Sequence, residues 1–119
     1  MGEITNLAGV IRVHGEAQGD KTALILGERS LSWSELFDRS ARAAQGLLAA
    51  GVGEQERVAF LDKNGFEHFE IMFGAAMINA VCVDVNWRLA APEVEFIVND
   101  TEAKVLVVGP DFVPILDAI

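Results

Sequence analysis

Short, largely apolar runs alternate with helical patterns over the second half of the chain. These runs lie at 57–61, 81–85 and 104–108, and they are separated by stretches in which apolar residues recur at helical spacing. Strands this apolar are typical of parallel sheets, which are covered on both faces. The pattern therefore predicts an α/β fold, with a parallel βαβ sheet of right-handed units and flanking helices.

The first third of the chain predicts a helix and a hairpin outside that sheet. Apolar residues recur at helical spacing over 4–18, and Gly19-Asp20 ends the pattern. Thr22–Leu26 and Ser30-Leu31 are extended runs. Residues 27–29 are therefore expected to close a short β-hairpin through a three-residue loop.

Two of the helices have recognisable starting residues. Ser32 and Glu35 have the S-x-x-E spacing of a capping box, and Gly51 is expected to end that helix. Asn64 is expected to cap the next helix. Because residues 71–78 of that helix are apolar all round, they are predicted to be buried on every side.

The composition is rich in apolar residues for a chain of this size. The 119 residues suffice for one domain, and 51% of them are hydrophobic. Two explanations are compatible: both faces of the sheet are buried, or apolar surface is covered by protein outside this chain. We favour both together. A helical pattern over 111–119 also lacks a terminating residue, so residues 1–119 are expected to form a single partial domain.

Charge and cysteine content exclude several classes of function. The net charge is −9, and the nine Lys and Arg residues are scattered, which argues against a nucleic-acid partner and against an anionic membrane surface. No apolar stretch approaches the roughly 18 residues of a transmembrane segment. Cys82 is the single cysteine and is expected to be buried. With no signal peptide at Met1-Gly2-Glu3, these features predict a cytoplasmic protein.

Polar residues follow each predicted strand, where parallel sheets usually bind ligands. They are Asp62, Asn64 and Gly65 after the first strand, Asn86, Trp87 and Arg88 after the second, and Gly109 after the third. Asp62 and Asn64 also suit helix capping and turns. Arg88 suits either an ion pair with Glu93 or Glu95, or an anion contact through its forked donors.

Other familiar site chemistries are not indicated. Gly51–Glu56 lacks the last glycine of a dinucleotide turn and lies between a helix and a strand, the wrong order. His14 and His68 stand alone on helices, so no metal ligands are expected. Three lysines (Lys21, Lys63 and Lys104) lack a glycine-rich approach, and three acids (Asp38, Glu67 and Glu70) are expected on solvated helix faces. No catalytic residue is predicted.

Three stretches, in order and at family spacing, resemble the start of adenylate-forming (AMP-binding) acyl-CoA synthetases, also called fatty-acid–CoA ligases. They are Leu31–Leu36 (LSWSEL), then Arg57–Ala59 with Asn64-Gly65 and Phe73–Ala76, then Ala80–Leu89 (AVCVDVNWRL) with Pro92-Glu93. One departure is Asn79, where that helix commonly has glycine. The resemblance covers nearly the whole chain and identifies it as an N-terminal segment of such an enzyme.

The resemblance implies an ATP-dependent reaction in two steps. A fatty acid attacks ATP to give an acyl-adenylate and pyrophosphate, and the CoA thiol then displaces AMP, with Mg²⁺ neutralising phosphate charge. The reactive residues of the family lie downstream, so this chain alone is expected to be inactive and to bind none of these cofactors. Arg88 matches the arginine of the family's N-x-R-L motif, which implies a contact with the CoA phosphates.

Two hypotheses therefore stand. The first is an N-terminal fragment of an acyl-CoA ligase, whose partner is the remainder of the ligase chain and which self-associates through uncovered apolar surface. The alternative is a stand-alone, non-catalytic α/β module that binds a partner. A reading frame that continues past codon 119 in the native gene favours the first, and a stop codon there favours the second.

Overall fold

The computed structural model describes residues 3–119 and contains five helices and five strands among them. In chain order the elements are α1 (Leu7–Gln18), β1 (Thr22–Leu26), β2 (Arg29–Ser32), α2 (Trp33–Ala49), β3 (Arg57–Leu61), α3 (Phe66–Met77), β4 (Val81–Asp84), α4 (Ala91–Asp100), β5 (Val105–Val108) and α5 (Val113–Asp117). A 3₁₀ turn, Pro110–Phe112, precedes α5.

Three of the strands form a parallel sheet in the order β4-β3-β5, with β3 at its centre. Val58 of β3 lies opposite Cys82 on one side and Val105 on the other. The predicted parallel α/β architecture is therefore confirmed. Because all three strands run in the same direction, the loops that follow them meet at one edge of the sheet.

The N-terminal helix and hairpin also form, with shifted boundaries. Helix α1 begins at Leu7 and not at residue 4, because the Asn6 side chain accepts a hydrogen bond from the Gly9 amide at 2.8 Å and caps the helix. In the hairpin, Leu26 pairs with Arg29, so the loop has two residues and the expected three-residue loop was wrong. Gly27, at φ +62°, supplies the left-handed conformation that this tighter loop needs.

The capping box of α2 forms as predicted. The Ser32 hydroxyl accepts from the Glu35 amide at 3.1 Å, and the Glu35 carboxylate accepts from the Ser32 amide at 2.9 Å. The bond from the Ser32 amide, followed by the interaction of the Ser32 hydroxyl with the same carboxylate, lowers the pKa of Glu35, because a donor to the carboxylate stabilises its ionised form. Gly51, at φ +91°, ends the helix as expected.

Helix α3 differs from its prediction in its N-cap and in its burial. Its N-cap is Gly65, which makes no side-chain cap bond, so the expected cap by Asn64 was wrong. Phe73 and Ala75 are buried, but Ile71 and Met72 are only half-buried. The expected burial on every side was therefore also wrong, because residues 3–119 cover Ile71 and Met72 only in part.

Asn79, the one departure from the resembled motif, lies in the left-handed region at φ +57°. Glycine adopts this conformation at no steric cost, and asparagine is among the few other residues that tolerate it. Gln55 compensates further, since its Nε2 donates to Asn79 Oδ1 at 2.9 Å. The departure therefore leaves the turn between α3 and β4 intact.

The core is divided into three clusters and leaves apolar surface uncovered. Buried residues gather between α2, α3 and the sheet, on the α4 side of the sheet, and between α1, α2 and α3. The radius of gyration is 15.0 Å, against about 13.5 Å for a typical domain of this length. Ile25 is 74% exposed and Phe96 is 68% exposed.

Within residues 3–119, no helix combines the length and the apolar character that crossing a bilayer requires.

Candidate functional site

The candidate site is the edge of the sheet at which β3, β4 and β5 end. Trp87, in the loop after β4, is half-buried and contacts residues from the two other loops. Lys63 Nζ lies 4.8 Å from the centroid of its indole, and the Phe112 ring centroid lies 6.0 Å away. The Arg88 guanidinium carbon lies 4.4 Å from the same indole. We call Lys63, Trp87 and Arg88 the indole–cation cluster.

Asn86 fixes the backbone of this cluster. Its side-chain oxygen accepts a hydrogen bond from the Arg88 amide at 3.0 Å, and its carbonyl accepts from the Leu89 amide at 3.1 Å. A side chain that bonds to the amide two residues later forms an Asx turn, which local sequence favours. The turn sets the direction in which Trp87 and Arg88 leave β4.

Arg88 does not form the ion pair that was offered as one explanation of its presence. Within residues 3–119 it has no salt bridge to Glu93 or Glu95. Glu93 instead accepts a hydrogen bond from the Ala90 amide at 3.0 Å and thereby caps α4. Arg88 is exposed, and its guanidinium donors are directed by the indole and not by a carboxylate.

Lys63 is the functional candidate that sequence reasoning missed. It was set aside because no glycine-rich segment leads to it, yet it lies in the loop after β3, next to the loop that carries Arg88. Its position directly after a buried strand was the available signal, since loops after adjacent parallel strands meet.

Asp62 and Gly109 contact each other at the same edge. The Asp62 carboxylate occupies the space in which any side chain on Gly109 would lie, and it accepts from the Lys63 amide at 2.8 Å. This local bond supports the turn explanation of Asp62, and a ligand role for it stays a prediction. Gly109 donates to the Leu61 carbonyl at 2.9 Å, which extends the pairing of β3 with β5.

His68, Asp84 and Cys82 form a second polar group on the α3 side of β4. His68 Nε2 lies 2.9 Å from Asp84 Oδ1, a partner on the neighbouring strand that the sequence did not indicate. Cys82 Sγ lies 3.6 Å from the same oxygen. Burial and the neighbouring Asp84 charge raise the pKa of Cys82 to about 12. The thiol is therefore protonated near neutral pH and is not an activated nucleophile.

Glu70 also differs from its prediction. It was expected on a solvated helix face, but it is only 9% exposed and pairs with Arg39 of α2. The hydrogen bond to Glu70 raises the pKa of Arg39. This pair joins α2 and α3 and serves the contact between these helices.

The described residues can hold an anion but supply little other chemistry. Within residues 3–119, no group of three or more His, Cys, Asp and Glu side chains is arranged to hold a metal ion. The indole–cation cluster instead offers two cationic donors, which suit a phosphate. The fold and this edge define an α/β domain with a polar ligand edge at the ends of its parallel strands.

The comparison with known proteins then gives the family. The profile of the AMP-binding enzyme family matches residues 11–118, and the chain belongs to this family. The matched segment is the N-terminal portion of longer ligases, as the resemblance implied.

Among relatives, the chain is 34% identical over 115 residues to the fatty acid–[acyl-carrier-protein] ligase ScoC of Streptomyces coeruleorubidus, covering 97% of this chain and 22% of the relative. It is 39% identical over 89 residues to the long-chain-fatty-acid–CoA ligase FadD13 of Mycobacterium tuberculosis, covering 75% of this chain and 18% of the relative. The chain therefore spans about a fifth of these relatives.

The fold agrees with a solved relative over nearly all of this chain. The N-terminal domain of FACL13 from Mycobacterium tuberculosis superposes with a TM-score of 0.93 at 32% identity, covering 98% of this chain and 30% of that one.

Proposed function

We propose that this chain is the N-terminal scaffold of an ATP-dependent acyl-CoA ligase, which converts a fatty acid, ATP and CoA into acyl-CoA, AMP and pyrophosphate through an acyl-adenylate. The family match over residues 11–118 carries this proposal. The names of the relatives include fatty-acid ligases for CoA and for acyl carrier protein, which supports activation of a carboxylic acid. The single free cysteine and these substrates support a cytoplasmic location.

Within this proposal, Arg88 contacts the phosphates of CoA. Its exposure at the ligand edge and its lack of a carboxylate partner within residues 3–119 support that role. A guanidinium held by an indole presents donors to a phosphate without first having to leave an ion pair. CoA supplies the thiol that accepts the acyl group.

ATP and Mg²⁺ act with residues outside this chain. The described residues offer no carboxylate cluster suited to Mg²⁺ and no glycine-rich phosphate loop. The chain contributes the sheet edge, and the residues that polarise the phosphates belong to the remainder of the ligase. Alone, the chain is expected to form no acyl-adenylate.

The uncovered apolar surface supports two proposed partners, the remainder of the ligase chain and a second copy of this chain. In the ligase, the remainder of the chain would cover it. In isolation, exposed residues such as Ile25 and Phe96 would drive self-association. Light scattering on the purified chain tests this, and a monomer at high concentration without dye-accessible apolar surface contradicts it.

A chimaeric enzyme tests the proposed function directly. In FadD13, the segment that matches this chain would be replaced by it, and both half-reactions would be measured. We expect ATP–pyrophosphate exchange and acyl-CoA formation from the chimaera, and no exchange from the 119-residue chain alone.

Arg88→Ala in the chimaera separates the two steps. We expect the KM for CoA to rise about tenfold, equivalent to about 1.4 kcal/mol, with pyrophosphate exchange unchanged. Lys104→Ala, at the opposite end of the sheet, is the matched control. A folded chimaera without exchange, or exchange from the isolated chain, contradicts the proposed function. Equal loss of both half-reactions in Arg88→Ala contradicts the role of Arg88.

A further inference from the structure

Strand β5 lies at one edge of the parallel sheet and has an open side. Within the described part of the chain it pairs with β3 alone. The Gly109 amide, which directly follows the strand, donates to the Leu61 carbonyl of β3 at 2.9 Å. Because backbone groups alternate in direction along a strand, the odd-numbered residues of β5 direct their N–H and C=O groups toward β3. Leu106 and Val108 therefore direct theirs to the open side.

The open side of β5 lacks the features that usually protect the edge of a sheet. A proline, a charged side chain or a bulge prevents an edge strand from pairing with another chain. Within Val105–Val108 all four residues are apolar and half-buried, and their pairing with β3 is regular. The opposite edge differs, because β4 ends in Asp84, whose side chain is 62% exposed. A further strand is therefore favoured beside β5 and disfavoured beside β4.

We propose that the open side of β5 binds β5 of a second copy of this chain, antiparallel and about a two-fold axis. The inference rests on the proposed function, in which the isolated chain self-associates, and it assigns that association to one surface. In the register that pairs Leu106 with Val108 of the second copy, the outward residues of both strands donate and accept hydrogen bonds. The two sheets then form one continuous sheet, which ends at the β4 edges that Asp84 protects.

The charges at the two ends of β5 favour pairing with an identical, antiparallel strand. Lys104 precedes the strand, and Asp111 follows it after two residues. The antiparallel register places Lys104 opposite residue 110 of the second copy, next to that copy's Asp111, whereas a parallel pair would bring like charges together. Within residues 3–119 Asp111 forms no salt bridge, and Lys104 shares its charge with Glu56 at 3.4 Å.

The apolar faces of β5 also favour a second copy. Val105 and Val107 pack on the core between the sheet and helices α2 and α3, and Leu106 and Val108 pack on the core at the α4 side. Each of these side chains is only half-buried. An antiparallel copy about an axis perpendicular to the sheet places the same two faces beside them, so both core layers continue across the axis.

A cysteine placed on the two-fold axis tests the pairing. Val107 would lie opposite Val107 of the second copy in a non-hydrogen-bonded pair, with Cα atoms about 4.5 Å apart, which a disulfide can span. In a Cys82→Ala background, Val107→Cys should therefore form a linked dimer in the presence of oxidised glutathione. We expect this dimer to be the main product on a non-reducing gel at about 100 µM protein.

Val83→Cys in the same background is the matched control. Val83 is likewise a half-buried valine in an edge strand, and its backbone also faces β3, because the Val81 and Val85 amides on either side donate to β3 carbonyls. It should give less than about a tenth of the linked dimer, since the β4 edges do not meet. Far-UV circular dichroism verifies that both variants are folded.

Asp111→Lys tests the charge contact without changing the strand. The substitution places a cation beside Lys104 of the second copy, so the dissociation constant of the dimer should rise at least about fivefold in analytical ultracentrifugation. Asp117→Lys makes the same change of charge on α5 and should alter the constant by less than about twofold. Equal effects of the two variants would contradict the proposed register.

Hydrogen exchange of the unmodified chain tests the edge even if Val107→Cys fails to fold. The amides of Leu106 and Val108 should exchange more slowly as the protein concentration rises, because dimerisation gives them hydrogen-bond partners. The amides of Cys82 and Asp84, which face the open side of β4, should exchange at a rate that does not depend on concentration.

The outcomes separate this inference from the proposed function. Equal linking of Val107→Cys and Val83→Cys would reflect random collision and overturns the inference. If the chain associates while the Leu106 and Val108 amides do not respond to concentration, other apolar surface such as Phe96 drives association, and the inference alone is wrong. A monomer at high concentration contradicts both the inference and the proposed self-association, and it leaves the remainder of the ligase as the occupant of this edge. The activity of the chimaera is independent of these results and tests only the ligase proposal.

Discussion

Arg39 on α2 and Glu70 on α3 form a two-point ion pair across the contact between these helices. The Arg39 Nε donates to one carboxylate oxygen of Glu70, and Nη2 lies 3.5 Å from the other. The Glu70 side chain is 11% exposed, whereas that of Arg39 is 44% exposed. The buried Glu70 carboxylate is therefore the charge that needs the pair for its stabilisation.

Replacing Arg39 by Met should destabilise the protein by about 2 kcal/mol. The variant leaves the Glu70 charge buried without a partner, and the partial exposure of Arg39 keeps the loss below the 3–5 kcal/mol of a fully buried pair. Urea unfolding measures the change. Arg42→Met is the matched control, because Arg42 and Asp38 lie 3.1 Å apart but are both well exposed, and it should cost less than about 0.5 kcal/mol. Equal losses in both variants would show that the burial of Glu70 is unimportant.

Gly74→Ala and Gly46→Ala should have opposite effects on stability. A Cβ atom on Gly74 would lie 2.9 Å from the Ser40 carbonyl oxygen and 3.0 Å from the Ala43 Cβ, where α3 crosses α2. The helices would have to separate, at a cost of about 1–3 kcal/mol. Gly46 has no atom within 4 Å of that position, so alanine there should stabilise α2 by about 0.5–1 kcal/mol. Thermal unfolding of both variants tests the pair, and a stable Gly74→Ala protein would contradict the close crossing.

Ser32→Ala should cost about 1 kcal/mol by removing the cap of α2. Its hydroxyl accepts a hydrogen bond from the Glu35 amide, which has no partner within the helix. Ser30→Ala controls for the loss of a hydroxyl. Because Ser30 lies at an exposed position of β2, this change should affect stability little. The measurement is the free energy of unfolding in urea at pH 7. A Ser32→Ala protein as stable as the control would mean that α2 is held by packing alone.

Cys82 should react slowly in the folded protein and should make stability fall in alkali. Burial raises the pKa of the folded thiol from 9.0 to about 12, so at pH 8 only about one thiol in ten thousand is ionised. Below pH 9 both states hold the proton, and between pH 9 and 12 the unfolded state loses it first. Folding stability should therefore fall through that window, by less than the limiting slope of one proton because the thiol is partly exposed to solvent.

Thiol labelling and a matched variant test this prediction. Labelling of Cys82 should be at least tenfold slower in the native protein than in urea, and Cys82→Ala should lose less stability between pH 9 and 11 than the parent protein. Rapid native labelling at pH 8 would mean that the thiol is not shielded by the sheet and Asp84.

Much of the fold was predictable because its signals are local. The S-x-x-E spacing at Ser32, the glycine at position 51 and the apolar runs of β3, β4 and β5 each depend on neighbours along the chain. Boundaries failed where a single side chain decided them. Asn6 shortened α1, and Gly27 closed the hairpin in two residues and not three.

The candidate site was only partly predictable. Arg88 was found through its motif and its place after a strand, but the same rule applied to β3 would have included Lys63. The choice between an ion pair and an anion contact for Arg88 depended on where Glu93 points, and Glu93 caps α4. The spacing of residues in the sequence does not show whether Glu93 pairs with Arg88 or caps α4.

The sequence by itself determined the alternation of strands and helices, the family and the polar strand ends, because periodicity and short motifs are properties of neighbouring residues. Only the tertiary structure decided which distant residues meet. The parallel order β4-β3-β5 brings Lys63 to Trp87, the crossing of α2 and α3 buries Glu70 beside Arg39, and β4 presents Asp84 to His68. These contacts join residues separated by up to 31 positions, and they form only when the sheet and helices pack.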